Sequence, residues 1–474
     1  MSSNAPTLSP VLAPARPPAP VPDRLTVRGG NPARGRASVS GFKHVMVLAV
    51  AYAVGSRRRT VLTNVPDILE TRTYLELLPP LGVHTSRAGS GLVLAPGDLP
   101  STGDATGPAT TLPPAAANIH GSLYLLPPLL ARQGRVGFSA FGGCPIGSAQ
   151  DRGARPWHHI VRVLEHFGAR FDAVRRELTL PARRYRAVEL DLGLFADDQD
   201  RLTGAEYSGA TKAAVLAAAF ADGTTVLHRP YRKAELESLL CLLEQDGVGV
   251  RRAPDRIEIT PRPARRQDLL TYDLPPDLLE VVTWTTVAAV TGGRVHLTNV
   301  TMNTLREGLR AEHALWRAAG VRFAEHDGGV LVGAPRDGRF APLPEIRVDP
   351  TTIYSDSQPL FTVLATRCPG PTRIVDGVWQ GRYHHLDGLA ALGADTRHTA
   401  DGVLVGASPL RVPAGGAEVH ATDLRCAAAL LVAALAADGG PVHITGTRHL
   451  ERGYDHLPEK LAGCFARSPL PSAL

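Results

Sequence analysis

Residues Glu235–Asp246, ELESLLCLLEQD, run directly into Gly247-Val248, and this junction is the key to the fold. The stretch is Leu-rich and amphipathic, which predicts a helix. Gly247 fits the position just past a helix C-terminus, where a left-handed backbone costs glycine little. The alternation that follows predicts a strand. The same junction recurs at Tyr74–Leu81 with Gly82-Val83, Val161–Phe167 with Gly168-Ala169, and Leu309–Ala319 with Gly320-Val321. It appears again at His385–Leu392 with Gly393-Ala394, and in worn form at Leu457–Ala462 with Gly463-Cys464. A spacing of roughly 70 to 85 residues marks six repeated units. Between the helices lie second strand signals at Leu92–Leu94, Leu178–Leu180, Ile257–Ile259, Val330–Val332 and Val403–Val405. Six α/β modules, each with a small mixed sheet, divide naturally into two domains of three.

A chain of 474 residues is long enough for two large domains. With 44% hydrophobic and 20% charged residues it is globular in balance. Aromatics are only 5%, while Gly (47) and Pro (40) are plentiful, which predicts an Ala/Val/Leu core with many tight turns. The formal charge of +6 suits small, doubly anionic substrates. Nucleic-acid binding is disfavoured, because there is no run of five or more Lys/Arg and no interleaving of basic and aromatic residues. Five cysteines without metal-ligand spacing predict a reduced cytoplasmic chain with no structural zinc. Residues 1–23, rich in Pro and Ala, read as a disordered tail and not a signal peptide. No apolar run reaches membrane-spanning length. Pro96–Ala117 reads as a surface loop before a helical segment, Ser122–Gln133. The histidines at His158-His159 and His384-His385 are adjacent pairs that diverge on a helix or strand, so no metal site is expected.

The chemistry concentrates in Gly142-Gly143-Cys144-Pro145-Ile146-Gly147, a glycine-bracketed loop presenting a thiol. A lone cysteine is more often an inert buried residue, so its reading depends on what accompanies it. Five further motifs do so in order: Ser40-Gly41-Phe42-Lys43-His44, Gly153-Ala154-Arg155-Pro156, Ser355-Asp356-Ser357-Gln358, Ala421-Thr422-Asp423-Leu424-Arg425, and Glu451-Arg452-Gly453-Tyr454-Asp455. Together they resemble the UDP-N-acetylglucosamine enolpyruvyl transferase (1-carboxyvinyltransferase) family and, more distantly, 5-enolpyruvylshikimate-3-phosphate synthase. The resemblance runs from about Leu25 to Leu461.

That resemblance implies a two-domain inside-out α/β barrel, with residues 24–41 plus 272–474 in one domain and 42–271, carrying the Cys144 loop, in the other. The chain would cross between domains near Gly41 and Thr271. It implies a monomer that uses phosphoenolpyruvate as co-substrate, a uridine nucleotide as acceptor and no cofactor. By motif position, Lys43, Arg155, Arg425 and Arg452 would bind phosphoenolpyruvate, whose planar and trigonal anions suit arginine forks. Arg152 competes with Arg155 for that place, because extra residues separate Cys144 from Gly153. Arg382 matches another active-site arginine. Asp356 would be the base at the attacking hydroxyl, Cys144 the acid at C3, and Asp423 a supporting carboxylate.

Four positions depart from the cell-wall enzymes. His44 replaces an Asn, His120 an Arg, and His158, two residues past Pro156, replaces the Asp that reads uracil. Ala205 replaces a Lys near the diphosphate when Gly209-Ala210-Thr211 is aligned. Tyr207, Ser208, Gly209 and Pro156 complete the nucleotide-binding set implied by the resemblance. Losing two fixed cations weakens a diphosphate-sugar acceptor, each charge-assisted contact being worth ~1.5–3 kcal/mol. The pattern resembles the enolpyruvyl transferases of nikkomycin- and polyoxin-type nucleoside antibiotic pathways, which act on the 3′-hydroxyl of UMP. A diverged cell-wall enzyme and an inactive nucleotide-binding paralogue are the alternative expectations.

Overall fold

One unit shows how the repeated sequence pattern becomes structure. The strand Glu189–Asp191 leads to a helix, Tyr207–Ala218, that is buried almost throughout. The chain returns as Thr225–His228, parallel to the first strand, then forms the helix Ala234–Gln245. It ends in the antiparallel pair Gly249–Arg252 and Arg256–Thr260, with Arg256–Thr260 lying against Thr225–His228. The inner helix is Ala-rich and buried almost throughout, with Ser208, Thr211 and Lys212 as its polar side chains. The outer helix carries Glu235, Leu236, Leu239, Leu240, Leu242 and Leu243 on its buried side. The computed structural model describes residues 20–97, 109–144, 146, 155–262 and 269–466.

Among these residues the same parallel–antiparallel–antiparallel order recurs in five four-stranded sheets, with a sixth, three-stranded sheet lacking one antiparallel strand. Three sheets use strands between Arg59 and Asp273, and three use strands from Arg24–Ser38 and Arg294–Thr445. The inner helices of the second set include Leu278–Val290, in which all 13 residues are buried, and Leu424–Ala436. Full burial of each Val or Leu side chain stabilises by ~1.5–3 kcal/mol, and small Ala side chains let these helices pack closely. The expected strand signals at Leu92, Leu178, Ile257, Val330 and Val403 all lie in strands of this scheme.

The helix-ending glycines behave as the sequence predicts in five of six cases: Gly82, Gly168, Gly247, Gly320 and Gly393 have φ of 71°, 98°, 86°, 92° and 90°. Gly463 does not, because it lies inside the helix Leu457–Phe465. A Cβ there would come 2.8 Å from the backbone oxygen of Arg36. Among the described residues, no strand pair follows this last helix. The N-terminal strand Arg24–Val27 takes that place, antiparallel to Val442–Thr445.

Two units exchange their first strands. Arg36–Ser38 pairs parallel with Arg294–Thr298, whereas Leu269–Asp273 pairs parallel with Arg59–Thr63 along its whole length. The chain therefore leaves that sheet after Asp273, beyond Thr271. The two connecting segments run side by side, with Phe42 N donating to Pro275 O at 2.7 Å and Asp277 N to Ser40 O at 2.8 Å. A repeat, Leu62-Thr63-Asn64-Val65 and Leu297-Thr298-Asn299-Val300, pins both sides. Asn64 and Asn299 have φ of 55° and 64°. Their amides donate to Leu274 O and Val39 O, each at 2.8 Å. Asn tolerates this left-handed turn, and its side chain takes over a backbone hydrogen bond. Pro96–Ala117 is not loop throughout: Thr110–Thr111 is a strand parallel to Arg135–Gly137, and Pro114–Asn118 forms a 3-10 turn. Residues 98–108 lie outside the described residues.

Candidate active site

The paired crossings open onto a cavity, and they set its first cation. Asp277 caps the helix Leu278–Val290 through Leu279 N and Glu280 N, and also accepts from Lys43 N at 3.1 Å. Lys43 is thereby held as the first residue of the helix Lys43–Ser56, its ammonium bonded to Glu70 Oε1 at 3.2 Å and Arg452 O at 2.9 Å.

Asp356 is the centre of the site. Arg382 Nη2 lies 2.7 Å from Oδ1, Arg425 Nη2 3.3 Å from Oδ2, and His44 Nε2 3.8 Å from Oδ2. Burial opposes its ionisation, but Arg382 and Arg425 outweigh that and hold the carboxyl well below the usual range. Arg425 is braced by Tyr454 OH at 3.2 Å, and Arg382 by Ser355 Oγ at 3.1 Å. Asp423 spends one oxygen as the cap of Leu424–Ala436, accepting from Arg425 N at 2.8 Å and Cys426 N at 3.3 Å. It positions Arg425 through the backbone.

Cys144 faces the same cavity. Its Sγ lies 3.5 Å from His449 Nδ1. Burial pushes the thiol pKa up, with Arg452 opposing, so the sulfur keeps its proton at neutral pH. Arg155 donates to Cys144 O at 3.4 Å and lies 4.4 Å from the centre of the Trp379 ring. Burial and then Arg382 bring its pKa down to about 10. Arg155 Nε has no hydrogen-bond partner among the described residues. Arg452 donates to Asn118 O at 3.0 Å.

Three histidines line the cavity as neutral imidazoles. Burial, only partly offset by Asp356, takes His44 down to about 3. Burial and then Arg155 take His159 to about 3 and hold His120 well below its ordinary value. The Nδ1 atoms of all three lack partners among the described residues, as expected where a polar ligand completes the bonding. Ala205, Tyr207, Ser208 and Gly209, from the start of the helix Tyr207–Ala218 and the turn before it, line the cavity beside His159. Gly209 is needed for space, since a Cβ there would stand 2.3 Å from His159 Nε2.

Lys43, His44, His120, Cys144, Arg155, Pro156, Ala205, Tyr207, Ser208, Gly209, Asp356, Arg382, Asp423, Arg425 and Arg452 thus meet in one place. His158 does not. It is exposed, its ring stacked 3.8 Å from that of Trp157, and its neighbour His159 turns inward instead. On a helix, adjacent residues diverge by about 100°, and only one of the two can face the cavity. Arg152 lies outside the described residues. Sequence reasoning missed Glu70, Lys212, Lys233, Glu235, Trp379 and His449. Lys212 stands one turn after Ser208, with Nζ 2.9 Å from its Oγ and 2.9 Å from Glu235 Oε1. His449 lies three residues before Arg452, in the same 3-10 turn. Among the described residues no three His, Cys, Asp or Glu side chains are grouped to hold a metal ion, and no helix is long and apolar enough to cross a membrane.

The chain is 30% identical over 459 residues to the UDP-N-acetylglucosamine 1-carboxyvinyltransferase of Granulibacter bethesdensis, covering 94% of this chain and 98% of that one. It is 32% identical over 457 residues to the enzyme of that name from an Anaeromyxobacter species, with the same coverage. Among solved structures, the enolpyruvyl transferase NikO from Streptomyces tendae superposes with a TM-score of 0.80 at 31% identity, covering 92% of this chain and 96% of NikO. The EPSP synthase of Acinetobacter baumannii shares the fold, with a TM-score of 0.63 at 19% identity. Residues 27–461 match the EPSP synthase (3-phosphoshikimate 1-carboxyvinyltransferase) family, and the chain belongs to that family of enolpyruvyl transferases.

Proposed function

We propose that the protein transfers the enolpyruvyl group of phosphoenolpyruvate to the 3′-hydroxyl of UMP, with release of phosphate. The observation that carries the reaction is the convergence of an ionised Asp356 and a protonated Cys144 on one cation-lined cavity. Phosphoenolpyruvate binds beside Cys144, its anionic groups held by Lys43, Arg155 and Arg452. Asp356 orients the acceptor hydroxyl and takes its proton as the oxygen adds to C2, while the Cys144 thiol protonates C3. The C2–phosphate bond then breaks, and the Cys144 thiolate withdraws a proton from C3 to form the new double bond.

The acceptor reading is supported by the departures at His120 and Ala205, which remove two cations suited to a diphosphate, and by the likeness to NikO. Three neutral imidazoles offer donors and acceptors suited to an uncharged nucleobase and ribose. The relatives named UDP-N-acetylglucosamine 1-carboxyvinyltransferase favour a second reading, in which that nucleotide sugar is the acceptor. In either case the architecture we infer is two inside-out α/β barrels, divided near residues 41 and 272, each closing three sheets over three inner helices.

Phosphate release from phosphoenolpyruvate, measured separately with UMP, uridine, UDP and UDP-N-acetylglucosamine, separates the two. Release with UMP and a product heavier by one enolpyruvyl group is the expected result. Release with UDP-N-acetylglucosamine alone refutes the UMP reading.

A further inference from the structure

The cavity's carboxylates neutralise most of its cations but not all. Lys43 pairs with Glu70, Lys212 with Glu235, and Arg382 and Arg425 share Asp356. Three cavity cations have no ion-pair partner among the described residues. Arg155 and Arg452 are two of them, and both act on Cys144: the first through its backbone carbonyl, the second as the strongest nearby charge. They form the anion site already assigned to phosphoenolpyruvate.

Lys233 is the third, and it lies elsewhere. It contacts Thr352 and Tyr354, whereas Cys144 contacts His449 and Arg155. It is the residue before the helix Ala234–Gln245. Its ammonium donates to Thr352 O and sits 4.5 Å from the centre of the Tyr354 ring. That ring is itself fixed, its hydroxyl donating to Glu235 Oε2 at 3.1 Å and accepting from Ala234 N at 3.2 Å. An ammonium has three donors, of which only one is used here. Burial lowers the pKa of Lys233, and Glu312, Glu235 and Asp349 oppose the shift without forming an ion pair with the ammonium. Lys212, on the neighbouring helix, is already neutralised by Glu235. Lys233 is therefore the cation on this side of the cavity that has no ion-pair partner among the described residues.

The reaction brings together two anionic substrates, and the cavity holds two separate centres of unpaired cation. We propose that Lys233 binds the phosphate of a nucleoside monophosphate acceptor and makes the enzyme select the nucleotide over the nucleoside. It replaces, from a different element, the cation that Ala205 no longer provides. This inference rests on the UMP reading above.

The test is titration calorimetry of UMP and of uridine into the wild-type protein, Lys233→Met and Lys233→Arg, with thermal melting of each. A lost charge-assisted contact predicts that Lys233→Met weakens UMP binding by about 10- to 100-fold, while uridine binding changes by less than about threefold. Lys233→Arg should recover most of the loss. Equal weakening of both ligands would mean that Lys233 only shapes the cavity, and unchanged UMP binding would mean that it does not touch the phosphate. Either outcome, with wild-type protein that binds UMP, overturns the Lys233 assignment alone. A wild-type protein that binds UDP-N-acetylglucosamine and not UMP overturns the acceptor reading and this inference together.

Discussion

Replacing Asp356 with Asn tests the electrostatic core of the site. The carboxylate is 21% exposed, and its partners Arg382 and Arg425 are 6% and 4% exposed. Removing one member of a buried ion pair typically costs ~3–5 kcal/mol, because the other charge is left uncompensated. Here two guanidiniums are stranded, but the amide oxygen still accepts a hydrogen bond and the site is partly open. We therefore expect about 3 kcal/mol, at the low end of that range. The pKa of Asp356 is depressed in the folded protein. Its stabilisation is thus complete above the unfolded value, ~3.9, and is lost as pH falls through the folded value. Urea unfolding of the ligand-free proteins should show the full difference at pH 7, narrowing as pH drops below about 4. A loss under about 1 kcal/mol at pH 7, a surface-pair value, would refute the claim that Asp356 neutralises both arginines. Turnover by the variant should fall at least ~100-fold if Asp356 is also the proton acceptor.

Cys144→Ser should lower kcat by ~100-fold or more through loss of the acid, with a melting temperature near that of the wild type, in a phosphate-release assay paired with calorimetry. Because burial raises the Cys144 pKa while Cys241 is exposed, peptide mapping after brief iodoacetamide treatment at pH 7.5 should find Cys241 modified first, with Cys144 labelling accelerating as pH rises. Gly209→Ala should raise the acceptor KM or abolish activity, since the added methyl meets His159 at 2.3 Å; wild-type kinetics would refute the close approach. His158→Ala should leave the acceptor KM within about twofold, as for an exposed side chain away from the site. His159→Ala should raise it about tenfold or more, the cost of a lost polar contact. The reverse ranking would show that the exposed ring reads the acceptor.

Much of the architecture was legible because glycine's conformational freedom leaves a local mark. The five left-handed glycines after the outer helices could be read from neighbouring residues alone. So could the motif residues, which sit on short segments whose order along the chain is preserved. The inner helices were harder to read: a helix apolar on every side has no amphipathic stripe to reveal its period. Gly463 misled, because its role is close backbone contact with Arg36 and not helix termination.

Local sequence therefore determined the repeated unit, the count of six and the motif residues that the cavity gathers, since periodicity and glycine placement act within a few residues. Only the tertiary structure decided which strand completes which sheet, because pairings such as Arg24–Val27 with Val442–Thr445 join distant parts of the chain. It also decided which of two adjacent histidines faces the cavity, and which cations keep their charge unspent. Those outcomes depend on side-chain direction, burial and the nearest opposite charge, and all three are set by residues far away in sequence.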